Sequence, residues 1–88
     1  MKEIKELIKA DRTQEAIHLL NNYIIEHPAC GDEPFYLLGN AYRKQGNWQL
    51  ALNNYLEAIE RNPESPAADA RKMVMDILEF YNKDMYNQ

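Results

Sequence analysis

The sequence predicts an all-α fold, an antiparallel stack of helix hairpins with about five helices. Three observations predict it. First, residues 32–63 place apolar and small residues at Phe35, Leu38, Gly39 and Tyr42, then at Ala51, Tyr55 and Ala58. Steps of three and four put each set on one helical face. Second, Gly46-Asn47 interrupts that periodicity with a residue that tolerates a tight turn and one that caps a helix by accepting from its free amides. Third, the pattern recurs at a spacing of thirty-five residues: Ala16, Leu20, Tyr23 and Pro28 anticipate Ala51, Tyr55, Ala58 and Pro63, while Leu38, Gly39 and Tyr42 carry over to Met73, Val74 and Ile77.

The central hairpin has a close crossing built into it. Gly39 and Ala51 are small, so the two helices, roughly 33–45 and 48–61, can approach while Tyr42 and Tyr55 fill the space on either side. The spacing Phe35-x2-Leu38-Gly39-x2-Tyr42, then Ala51-x3-Tyr55, Ala58 and Pro63, resembles the tetratricopeptide repeat (TPR), with Phe for its leading Trp and Tyr for its later Phe. The resemblance implies a TPR-like α-α superhelix of two repeats and a C-terminal capping helix. On that reading residues 1–88 form one domain: an incomplete first repeat (1–28), a complete one (32–63), a capping helix (65–82) and a short tail (83–88).

Taken in order, the chain opens on a short helix with an apolar stripe of Ile4, Leu7 and Ile8, and with Lys2, Lys5 and Lys9 over much of the rest. Asp11-x-x-Gln14 has the form of a capping box for a second helix, in which Ala16, Leu20, Tyr23 and Ile24 face inward as far as Pro28. Ile4 stands where the central repeat has Gly39, which predicts looser packing of the first pair. Ile17, Leu19 and Ile25 add apolar surface beyond the inward stripe. After Pro63, Ser65-Pro66 starts the last helix, Ser as cap and Pro in the first turn. Its inward face is Met73, Val74 and Ile77, with Ala70 in the place of Phe35.

Composition narrows the function. A chain of 88 residues suffices for one modest core, and a formal charge of −4 argues against nucleic acid as a partner. There is no apolar run long enough to span a membrane and no signal-like core after Met1-Lys2-Glu3, so the expected location is cytoplasmic. Cys30 is the one cysteine, expected as an inert exposed thiol in the loop between repeats. His18, His27 and Cys30 fit no zinc spacing, and no nucleophile-base pair or phosphate-binding loop stands out. The expectation is a non-enzymatic protein with no metal or cofactor.

The charges are segregated. Lys2, Lys5, Lys9, Arg43, Lys44, Arg71 and Lys72, seven of the ten basic residues, lie on the first helices of the repeats. The resemblance implies that these helices line a concave groove where partners lie. Tyr36 and Asn40 sit one turn apart on that side, suited to stacking and to backbone hydrogen bonds. The expected groove is therefore Lys5, Lys9, Tyr36, Asn40, Arg43, Lys44, Arg71 and Lys72, and the expected partner a protein or peptide segment, acidic in character. Members that clamp the C-terminal carboxylate of heat-shock chaperones resemble one another in a Lys one turn before an Asn. Here Tyr36 precedes Asn40, and Lys5 takes the equivalent place in the first repeat, so an adaptor of that type is not implied. The alternative is a self-associating scaffold, using Ile17, Leu19 and Ile25 or Phe80, Tyr81, Met85 and Tyr86.

Overall fold

Helices α1 (Lys2–Lys9), α2 (Thr13–Glu26), α3 (Glu33–Lys44), α4 (Trp48–Arg61) and α5 (Ala67–Tyr86) follow one another through short turns. The computed structural model describes residues 1–86, with side chains described through Phe80. Each helix packs against its neighbours in sequence, and α1 also touches α3. The stack measures 47 × 28 × 18 Å. It is the expected all-α arrangement, with no strand among the described residues.

The repeat of thirty-five is written into the backbone. Adding it to the bounds of α2 gives those of α4, and the turn bonds recur with it. Asp11 N–H donates to Ile8 O at 3.1 Å and Arg12 N–H to Leu7 O at 2.9 Å; Gly46 N–H donates to Arg43 O and Asn47 N–H to Tyr42 O, both at 2.9 Å. The turn therefore needs one left-handed residue, supplied by Gly46 at φ 76° and by Asp11 at φ 61°. Asn47 caps α4 as expected, its Oδ1 accepting from Leu50 N–H at 3.3 Å. The expected Asp11 capping box is not formed. Asp11 is committed to the left-handed turn, Arg12 is the N-cap of α2, and no side chain caps that helix.

The core runs through the stack along Ala16, Leu20, Phe35, Leu38, Ala51, Tyr55, Ala58 and Val74. Gly39 is required by Tyr55: a Cβ there would overlap the Tyr55 ring, which has no exposed surface of its own. Of the three apolar residues beyond the inward stripe, Ile17 is covered by its neighbours, whereas Leu19 and Ile25 are exposed. Tyr23 turns outward instead of inward, its ring lying 4.5 Å from that of His27. Cys30 is half-buried against the core.

The last helix differs most from expectation. It runs to Tyr86, and its buried face is Ala67, Ala70 and Val74 with Leu78 half-buried, while Met73 and Ile77 are exposed. The reason is positional. Leu38 and Tyr42, their counterparts at the offset of thirty-five, belong to a hairpin closed by α4, and among the described residues no helix follows α5 to close the third one. Ser65 behaves as anticipated, its Oγ accepting from Ala67 N–H at 3.1 Å. The side chains of Tyr81, Met85 and Tyr86 lie outside the described residues.

Candidate functional site

Between α1 and α3 lies a cleft of about 270 Å³ lined by Lys5, Ile8, Lys9, Tyr36, Leu37 and Asn40. It brings together four of the residues singled out in the sequence. Ile8 and Leu37 form its buried apolar floor, and Tyr36 and Asn40 stand half-buried on α3. Lys5 and Lys9 rise from α1, one turn apart. Lys5 Nζ lies 3.4 Å from Glu33, an exposed pair of little energetic weight. Lys9 makes no ion pair among the described residues.

The orientation of Asn40 is set from behind. Tyr55 reaches across from α4 and donates its hydroxyl to Asn40 Oδ1 at 2.6 Å. With the carbonyl end of the amide engaged, the NH2 end is the part left to face a ligand, and it offers donors to carbonyl or carboxylate oxygens. Burial pushes the Tyr55 phenol up to about 12 from an ordinary 10.0, the Arg43 charge pulling it down and Tyr36 adding to the rise. Arg43 therefore sits electrically beside the same cluster, half-buried. The rings of Tyr36 and Tyr55 are tilted at 39° with centroids 6.1 Å apart.

Lys44 has other work. Its Nζ donates to Ile8 O at 2.8 Å and to Lys9 O at 3.4 Å, and lies 3.1 Å from Asp11 Oδ1. Those carbonyls end α1, where a cation also meets the negative end of the helix dipole. Lys44 is thus a strap between repeats and not a groove residue, which corrects the sequence expectation. Gln45 beside it donates to Thr13 Oγ1 at 3.0 Å and Gln14 Oε1 at 3.1 Å. Arg71 is half-buried on α5, its Nε enclosed with no hydrogen-bond partner among the described residues, and Lys72 is exposed.

Sequence reasoning missed a second strap. Arg61, at the end of α4, donates Nη1–H to Cys30 O at 2.7 Å and to Pro28 O at 3.1 Å, and its guanidinium lies 4.4 Å over the Phe35 ring. The available signal was its place. A basic residue in the last turn of a repeat falls over the loop that leads into that same repeat, and an aromatic partner stood at Phe35. Among the described residues no group of His, Cys, Asp and Glu is arranged to hold a metal ion.

Comparison with known proteins adds to this geometry. A family model described as the tetratricopeptide repeat matches residues 33–65. The solution NMR structure of the Bacteroides fragilis protein BF1650 is similar throughout: 61% identical in sequence, with a TM-score of 0.87, over 99% of this chain and 88% of that one. No curated protein matches the chain. Repeat spacing, helix stack and comparisons agree, and the chain belongs to the tetratricopeptide repeat family of protein-interaction modules, a family generally without enzymatic activity.

Proposed function

We propose that the chain is a non-enzymatic module that binds an extended acidic segment of a partner protein in the cleft between α1 and α3, continued by Arg43 and Arg71. The observation that carries this reading is the convergence of Lys5, Lys9, Tyr36 and the donor end of Asn40 on one apolar-floored cleft. Lysines above an apolar floor attract carboxylates, and Asn40 supplies the directional contact to a main-chain oxygen. Lys72 extends the positive charge, and Lys44 contributes by holding α1 in place. We set this activity in the cytoplasm; no helix of the described residues is long and apolar enough to cross a membrane.

Each exposed charge contributes about 0–1 kcal/mol, so a short peptide binds with micromolar or weaker affinity. Titration of a fluorescent peptide of alternating Glu and Leu tests the reading. Binding weakens as salt rises and is abolished by Lys9→Glu with Arg43→Glu, while Glu60→Lys on the far helix leaves it intact. Lys44→Glu is unsuitable as a probe, since it sets a carboxylate against the carbonyl end of α1. Affinity that survives both the double reversal and high salt would refute the basic cleft.

A second reading, self-association as a scaffold, is favoured by one observation: Met73, Ile77 and Phe80 expose apolar surface at helical spacing along α5. Light scattering at rising concentration separates the two. A constant monomer mass removes the second reading.

A further inference from the structure

A second cleft, of about 410 Å³, opens at the opposite edge of the first hairpin, where the start of α1 meets the last turns of α2. Its apolar wall is Ile4, Leu19 and Tyr23, the last two more than a third exposed. Glu3 and Glu26 stand at its rim. Neither carboxylate makes an ion pair among the described residues, with the Met1 amino group or with any side chain. An adjoining cleft along α2 shares Leu19 and adds Glu15, whose charge is already met by Arg12 at 2.6 Å.

The internal repeat shows what such a corner accommodates. Thirty-five residues on, Glu26 corresponds to Arg61, and there the corner between the start of α3 and the end of α4 is filled by the Phe35 ring lying 4.4 Å beneath the guanidinium. In the first hairpin the charge at that corner is reversed from Arg to Glu, and Met1 lines the cleft beside Ile4. An aromatic ring still fits the apolar wall, but the group best placed next to it is a cation.

We propose that this corner is a second binding site, for a partner protein segment that presents an aromatic side chain flanked by Lys or Arg. It is independent of the concave cleft and opposite to it in charge preference. The aromatic ring lies on Leu19 and Tyr23, and the flanking cations meet Glu3 and Glu26. One chain therefore holds an acidic segment on its basic face and a basic aromatic one at its N-terminal edge.

The test is a titration of the isotope-labelled full chain with the pentapeptide acetyl-Gly-Lys-Phe-Lys-Gly-amide, followed by amide chemical shifts. The expected changes fall on the first turn of α1 and on residues 19–26. They vanish when Ala replaces Phe in the peptide and when Tyr23→Ala removes the wall. Glu26→Lys weakens binding by about two- to fivefold, the scale of one exposed charge pair. If Glu26→Lys disturbs the spectrum without peptide, Glu3→Gln gives the same reading with a smaller change. Shifts that are absent, that centre on Tyr36 and Asn40, or that are indifferent to both the Phe and the Glu substitutions would overturn the proposal.

Discussion

The first and central repeats share a backbone and solve its tightest point in opposite ways. In the central repeat Gly39 gives up its side chain so that Tyr55, wholly buried, can lie against α3 and reach Asn40. In the first repeat the same two places hold Ile4 and Leu20, and Leu20 is likewise without exposed surface. The bulk has moved from α4's counterpart to α3's counterpart. The difference teaches that the fold specifies a volume shared by two positions, and that only the central solution sends a hydroxyl across to Asn40 on α3. Ile4 is then not a defect of the first repeat but the partner of a smaller Leu20.

The largest expected effect is on the crowded side of that comparison. Gly39→Ile alone drives a branched side chain into a ring that has nowhere to go, and costs ~3 kcal/mol or more, beyond the usual range for overpacking. Chemical denaturation reads this as a lowered midpoint with an unchanged slope. Ile4→Ala, on the relaxed side, costs less, in the range ~1–3 kcal/mol, because Ile4 is only half-buried.

Alkali separates the repeats by chemistry. The Tyr55 phenol has a folded pKa of about 12, above its ordinary 10.0, so ionising it is harder in the fold than in the unfolded chain. The associated stability is present in full below pH 10 and is lost as the pH rises toward 12, by roughly 2–3 kcal/mol. Leu20 has nothing to ionise. Tyr55→Phe therefore costs ~1 kcal/mol at neutral pH through the bond to Asn40, and removes its share of the alkaline loss. An alkaline slope equally steep in the variant would place the titrating group elsewhere.

The tie between the repeats comes next. Lys44→Met removes two hydrogen bonds and an ion pair from the end of α1 and costs ~1–2 kcal/mol. Hydrogen exchange should show the loss in α1 before α3 and α4, whose amides keep their protection. Uniform loss across all helices would mean that the first repeat has no stability of its own to lose.

The smallest expected effect is a gain. Asn47 caps α4 whereas Arg12 caps nothing, so Arg12→Asn copies the central turn into the first and stabilises by ~0.5–1 kcal/mol in thermal unfolding. The exposed Arg12–Glu15 pair that it removes is worth a few tenths by comparison.

Much of this was legible from residue spacing because close crossings restrict residue type. Ala16 and Ala51 are small for a packing reason, and Pro28 and Pro63 end helices for a backbone reason, so the offset of thirty-five could be seen without coordinates. Four residues of the α1–α3 cleft, Lys5, Lys9, Tyr36 and Asn40, were equally visible because the tetratricopeptide resemblance sets the first helices of the repeats side by side. The straps were not. A lysine or arginine in a last helical turn looks the same in sequence whether water or a distant carbonyl receives it, and Lys44 and Arg61 differ from Lys9 only in what the tertiary fold brings beside them. Asp11 misled for a similar reason, because Asp suits both a cap and a left-handed turn. Met73 and Ile77 were placed inward by an offset that presumes a closing helix after α5.

The shared-volume account is tested most directly by a double-mutant cycle at Gly39 and Tyr55. Gly39→Ile combined with Tyr55→Leu rebuilds the first repeat's solution inside the central one. The account predicts a favourable coupling toward the upper end of the ~0.5–3 kcal/mol range found for contacting residues, so that the double variant is more stable than Gly39→Ile alone. Additive losses, leaving the double variant less stable than either single one, would contradict it.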